Sequence, residues 1–282
     1  MRRAVLFGKP LKRRHSVAMH DAAFEAFGVD ARYELAEVDE NQLREMVPLA
    51  RQERWLGFQI TAPHKRAIMP LLDEVEDAAK EIGAVNSVEV TADGRLVGFN
   101  TDTVGFITAL TTGLGFEIKG SKVVIAGAGG VGHAVVHGIL SNGASDVTVL
   151  DLDVRDVERL GEEFASVGKI EPMAFRDARV PERLGAADLF VNATSVGMLS
   201  KGPVIPVSQL RSDACVFDVV YIPAETELVR QARAAGMRAM NGGEMLVAQA
   251  AVAFMRWTGL SDPTEVMRAA VIPLLEAEIA GP

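Results

Sequence analysis

The chain has 282 residues, of which 49% are hydrophobic and 24% charged, a globular composition that excludes a disordered or fibrous protein. Its formal net charge of −9 opposes nucleic acid and anionic membrane surfaces, so neither is expected as a partner. An anionic small substrate would need a local cluster of positive charge.

Residues 4–7 read as a buried strand, broken by Gly8, Lys9 and Pro10. Met19, Ala22, Ala23, Ala26 and Phe27 recur at helical spacing and predict a helix over 16–27, ended by Gly28. Strands are expected at 33–38 and 55–60. Pro48 interrupts the helical pattern of 41–54 between them, which predicts two short helices or a kink. Strands at 85–90 and 95–99 flank Ala92-Asp93-Gly94, a hairpin signal. A Val/Ile strand at 122–126 then runs into a glycine-rich turn and a helix to about residue 142, with Gly143 past its end. Further strands are expected at 147–150, 189–192 and 216–219, with helical segments between them. Apolar runs of this kind, alternating with helices, predict a doubly wound parallel sheet. The chain from 244 on reads as helical and rich in Ala and Met. There is no internal repeat.

The one cysteine, Cys215, lies in an apolar run and is expected to be a buried structural thiol, which suits a reducing cytoplasm. The N-terminal apolar run is too short for a signal-peptide core, and no stretch reaches the roughly 18 apolar residues of a membrane span. A soluble cytoplasmic protein is therefore expected.

Gly127, Gly129 and Gly132 form G-x-G-x-x-G directly after a strand and at the start of a helix, and Asp151 ends the next strand about 20 residues on. That is the context of a dinucleotide fingerprint: the glycines admit the pyrophosphate, and the helix N-terminus offers it free N–H groups. A carboxylate at Asp151 would accept hydrogen bonds from the ribose hydroxyls of NAD and repel the 2′-phosphate of NADP. Asp153 adds a second negative charge, and Arg155 is the only cation close by in sequence. NAD is therefore the expected cofactor.

Two other strand ends carry polar groups, where open α/β folds place ligands. Thr61, Pro63 and Lys65 follow the third strand, Asn86 is read as lying inside the strand 85–90, and Asn100-Thr101-Asp102 closes the strand before a helix. Taken singly, Asp102 reads as a helix cap and Lys65 as a surface lysine.

Together these segments resemble the shikimate dehydrogenase family, along nearly the whole chain. The resemblance rests on Gly57-Phe58-Gln59-Ile60-Thr61-Ala62-Pro63-His64-Lys65, Gly83-Ala84-Val85-Asn86-Ser87, Gly98-Phe99-Asn100-Thr101-Asp102-Thr103-Val104-Gly105-Phe106 and Gly127-Ala128-Gly129-Gly130. It continues through Asn192-Ala193-Thr194-Ser195-Val196-Gly197-Met198, Asp218-Val219-Val220-Tyr221-Ile222-Pro223 and Met245-Leu246-Val247-Ala248-Gln249. It implies an α/β enzyme of two domains, with the site in the cleft: a mixed α/β substrate domain at 1–102 plus 239–282, and a doubly wound parallel-sheet Rossmann domain at 103–238. The implied reaction is reversible hydride transfer between a nicotinamide cofactor and a ring hydroxyl of a cyclic carboxylic acid, shikimate or quinate. Lys65 and Asp102 would be the catalytic pair. Ser16, Thr61, Asn86, Tyr221 and Gln249 would contact substrate. Gly127, Ala128, Gly129, Gly130, Val131, Asp151, Asp153, Arg155, Thr194, Val219, Gly242 and Met245 would serve the cofactor, although Met240 and Met245 also read as core.

Two departures stand out. Arg14 replaces the first serine of the family's Ser-x-Ser-Pro stretch, here Arg14-His15-Ser16-Val17, and arginine is a bidentate partner for a carboxylate. It either clamps the acid, which would suit a ring acid other than shikimate such as an aminoshikimate-like compound, or points to solvent. Asp151-Leu152-Asp153 stands where NADP-using members carry an Asn-Arg-Thr-like stretch, in keeping with NAD. A non-catalytic NAD sensor on the same fold is the alternative from another class, and the presence of both Lys65 and Asp102 argues against it. A monomer or homodimer is expected. No metal site is expected, because the histidines show no ligand spacing, and His133 and His137 read as helix-surface or packing residues.

Overall fold

The computed structural model describes residues 1–11, 14–198 and 202–278, and the chain divides into two compact units. The first comprises Met1–Asp102 and Val247–Leu274; the second comprises Thr103–Leu246 and the chain from Leu275 on.

The first unit contains β1 (Arg2–Gly8), α1 (His15–Ala26), β2 (Ala31–Glu37), α2 (Glu40–Gln52), β3 (Gly57–Ile60), β4 (Glu74–Val75), α3 (Asp77–Ile82), β5 (Ser87–Val90) and β6 (Leu96–Phe99). They form one six-stranded sheet in the order β2-β1-β3-β5-β6-β4. It is mixed: β1 runs parallel to β2 and β3, while β5 is antiparallel to both β3 and β6. The expected hairpin is present, closed by Thr91 N donating to Arg95 O at 3.0 Å. Val5, Phe7, Trp55, Phe58, Ile60 and Val88 form its main apolar cluster. Pro48 does not divide α2, which is one helix with Pro48 inside it. A capping box between Asp39 and Gln42 fixes its start.

The second unit opens with α4 (Asp102–Thr108), whose first residue closes the first unit. There follow β7 (Lys122–Ala126), α5 (Gly130–Ser141), β8 (Asp146–Asp151), α6 (Val154–Glu163), β9 (Glu171–Ala174), α7 (Val180–Ala186), β10 (Leu189–Asn192), β11 (Cys215–Asp218), α8 (Glu227–Ala234) and β12 (Arg238–Met240). The last two helices are α9 (Gly243–Thr258) and α10 (Thr264–Ala277). The strands form a six-stranded sheet in the order β12-β11-β10-β7-β8-β9, every pair parallel. Alternate residues of a strand serve opposite faces: Val123 and Ile125 enter one apolar cluster, Val124 and Ala126 the other. Both faces are thereby covered, as continuous apolar runs require. Cys215 is buried in the first of these clusters.

The return to the first unit comes at Val247 rather than 239. The reason is β12, which pairs Ala239 with Val216 and Met240 with Phe217 and so ties that stretch to the second sheet. No helix among the described residues is long and apolar enough to cross a membrane.

Candidate active site

In the first unit, polar side chains converge at the carboxyl end of β3 and beside it. Lys65 Nζ lies 2.6 Å from Asp102 Oδ2, with the two side chains only 16% and 10% exposed. Asp102 does not cap its helix. Asn100 takes that role, its Oδ1 accepting from Asp102 N at 2.9 Å while its Nδ2 donates to Ala84 O at 2.9 Å. The carboxylate of Asp102 is thereby left off the helix end, and its second oxygen accepts from Asn86 Nδ2 at 2.8 Å.

Asn86 precedes β5 rather than lying inside a strand. Its Oδ1 accepts from Thr101 N at 2.8 Å, which fixes the amide. Gln249, on α9, presents Oε1 to Gln59 Nε2 at 3.0 Å and to Thr101 Oγ1 at 3.2 Å. Gln59 in turn accepts from the Tyr33 hydroxyl at 2.5 Å. Thr61, half-buried directly after β3, hangs by its N–H from Phe7 O at 2.8 Å.

Of the expected substrate residues, the hydrogen bonds thus gather Asn86 and Gln249 with the Lys65–Asp102 pair, while Ser16 lies at the start of α1. Tyr221 belongs to the second unit. Arg14 is exposed as the residue preceding α1, and its side chain caps nothing. Gln59 and Tyr33 were not singled out by sequence, and Thr101 was read only as part of a polar strand end. The available signal was Gln59 itself, a polar residue in a strand whose four positions are all buried.

His20 lies beneath this cluster, stacked on Tyr33 with ring centroids 4.3 Å apart. Burial pushes its pKa down to about 3, so the ring is neutral.

In the second unit the strand order reverses at β7, and the glycine turn leaves that strand at its carboxyl end. Gly127 has φ +105°, a conformation that favours glycine. A Cβ on Gly132 would meet Gly127 O at 2.2 Å, so a side chain there would force the turn open. At Gly129 and Gly130 a Cβ would meet nothing within 4 Å: the space above the α5 N-terminus is open, and no side chain caps that helix. Asp151 braces the turn, accepting from Ala128 N at 2.7 Å and from Leu152 N at 2.6 Å. Gly127, Gly129, Asp151 and Thr194 line a cavity of about 810 Å³, within the usual range for small-molecule sites. These features fit a dinucleotide, with the α5 N-terminus for its pyrophosphate and Asp151 for its ribose.

Asp153 and Arg155 do not line the cavity. Asp153 caps α6 and pairs with Arg155 at 2.5 Å, and that guanidinium holds its carboxyl down at about 2. Gly242 N donates to Val220 O at 3.2 Å, next to Val219, while Met245 is buried in the core. Loops 193–198 and 219–226 are tied together through Asp218, which accepts from Asn192, Val220 N and Thr226. Burial pushes its carboxyl up to about 6. His133 and His137 pack against Phe164. No group of three potential metal ligands occurs among the described residues.

A glycine cradle at a sheet switch point and a largely buried lysine–carboxylate pair among fixed amides define a class: a Rossmann-type, dinucleotide-dependent oxidoreductase. Family models for the shikimate dehydrogenase substrate binding domain and the shikimate 5′-dehydrogenase C-terminal domain match residues 6–88 and 242–272. A shikimate dehydrogenase (NADP(+)) of Geobacillus kaustophilus is 37% identical over 96% of this chain and 97% of its own. A quinate/shikimate dehydrogenase (NAD(+)) of Corynebacterium efficiens is 39% identical over 95% and 97%. The crystal structure of quinate dehydrogenase from Corynebacterium glutamicum in complex with NAD superposes with a TM-score of 0.90 at 34% identity, covering 96% of this chain and 99% of that one. The chain belongs to the shikimate dehydrogenase family. Its relatives are divided in cofactor, and several others of similar identity are named NADP(+) enzymes.

Proposed function

We propose that the chain catalyses reversible hydride transfer between NAD and a ring hydroxyl of a cyclic carboxylic acid of the shikimate or quinate kind. The first unit binds the acid and the second the dinucleotide. The observation that carries this reading is the Lys65–Asp102 pair at 2.6 Å, screened from solvent and ringed by Asn86, Thr101 and Gln249. A structural ion pair needs no such array of amides and hydroxyls around it.

The bound nicotinamide supplies the hydride acceptor, or the donor in reverse. The chain's own work is on the proton. An alcohol must lose its O–H proton as hydride leaves carbon, and the Lys65–Asp102 pair receives it. In the reverse direction the Lys65 ammonium stabilises the developing alkoxide and returns the proton. Asn86 holds one oxygen of Asp102 at 2.8 Å, so the other stays directed at Lys65. Gln249 and Ser16 orient the ring, and Arg14 takes the carboxylate. Asp151 supports NAD over NADP through its charge beside the ribose.

The test is absorbance of the reduced nicotinamide with shikimate or quinate against NAD or NADP. Turnover of a ring acid, faster with NAD, is expected. No turnover with either acid, together with tight NAD binding, overturns the reading in favour of a sensor.

A further inference from the structure

The cation that the sequence placed beside the ribose site is engaged elsewhere, because Arg155 pairs with Asp153 at 2.5 Å. Another takes its place. β9 pairs with β8 in parallel, bringing Ala174 level with Asp151, and Phe175 N donates to Asp151 O at 3.1 Å. Arg176 therefore leaves the same carboxyl edge of the sheet two residues beyond Asp151, and both line the one cavity.

The charges around that edge are otherwise matched. Asp177 pairs with Arg179 at 2.8 Å, and Glu171 accepts from both Arg179 and Arg183. Asp151 has a backbone N–H on each carboxylate oxygen. Arg176 is exposed and makes no ion pair or side-chain hydrogen bond among the described residues. A guanidinium is planar, permanently charged and able to bind phosphate through two parallel N–H groups. One that lines the cavity together with Asp151, with no anionic side chain of its own among the described residues, lacks the partner that a 2′-phosphate would supply.

We propose that Arg176 takes the 2′-phosphate of NADP, so that this chain accepts NADP as well as NAD at one adenosine site. The inference rests on the dinucleotide reading of the second unit. Asp151 sets the preference for NAD, and Arg176 offsets its repulsion of the extra phosphate. The cation for the phosphate thus comes from the segment after β9 rather than from the turn after β8.

Calorimetric titration of the full chain with NAD, NADP, AMP and adenosine 2′,5′-bisphosphate tests this, with wild type, Arg176→Ala and Arg176→Lys. Wild type is expected to bind both dinucleotides. Arg176→Ala should weaken NADP at least about tenfold more than NAD, the effect of one lost charge-assisted contact. The bisphosphate should lose against AMP by the same factor, and Arg176→Lys should recover part of it. Equal weakening of NAD and NADP would make Arg176 an adenine-stacking group and overturn the proposal. So would an unchanged NADP affinity, or a wild type that binds NAD and not NADP. If wild type binds neither dinucleotide, the dinucleotide reading itself fails.

Discussion

The two units build their sites from different materials. The second uses backbone: a glycine turn, open N–H groups at the start of α5, and one aspartate that braces the turn through Ala128 N. The first uses side chains, joined in a chain from Tyr33 through Gln59 and Gln249 to Thr101, Asn86, Asp102 and Lys65. One of those links, Gln59 to Gln249, spans 190 positions in sequence. A backbone site recognises what all dinucleotides share, and a side-chain network recognises one shape and one reactive group. Changes in the first unit should therefore alter chemistry, and changes in the second should alter which cofactor is held.

The largest effect is expected at Lys65. Lys65→Met should lower turnover by about 10²–10⁴-fold, the usual loss for a group that moves a proton, while NAD affinity measured by fluorescence titration stays near wild type. A variant that turns over at the wild-type rate would remove Lys65 from the chemistry.

A smaller effect of the opposite kind is expected at Asp151. Asp151→Ala should weaken NAD by about tenfold, as charge-assisted hydrogen bonds to the ribose are lost. NADP should be weakened less, so the ratio of kcat/KM for the two cofactors shrinks. An unchanged ratio would show that the carboxylate does not touch the ribose.

The smallest effect concerns stability, where burial shifts His20 in the first unit and Asp218 in the second with opposite consequences. His20 stays neutral in the fold down to about pH 3, whereas in the unfolded chain it takes a proton near its ordinary value of about 6.5. It therefore costs stability as pH falls from about 6.5 towards 3. Asp218, raised to about 6, does the reverse: the folded protein takes up its proton first, so stability is gained as pH falls from about 6 towards 4. His20→Phe should flatten the acid loss of the thermal midpoint, and Asp218→Asn should steepen it. Identical pH profiles for the two variants would contradict both assignments.

The same contrast explains what could be read in advance. The parallel sheet was legible because its strands are short apolar runs, and β7 and β10 fall at the positions expected from them. The glycine turn was legible because its requirements are local. β9, with the sequence Glu-Pro-Met-Ala, has no such pattern, and the cavity-lining Arg176 that follows it was missed with it. β12 was missed because three residues with one buried among them give no periodicity, and that displaced the unit boundary.

Within the first unit, periodicity located strand ends but not partners. It had no means of showing that Asn100 would cap α4 in place of Asp102, or that Gln59 would meet a glutamine on α9. Both depend on tertiary assembly. The Lys65–Asp102 pair came from family resemblance, not from spacing, and the structure places its atoms in contact. Arg14 is exposed ahead of α1, and its side chain caps nothing.

The most direct measurement follows the hydrogen itself. With NAD and a ring acid deuterated at the carbon that bears the oxidised hydroxyl, the account predicts deuterium in the reduced nicotinamide and a slowed single turnover. Reduced nicotinamide that carries no deuterium would contradict it.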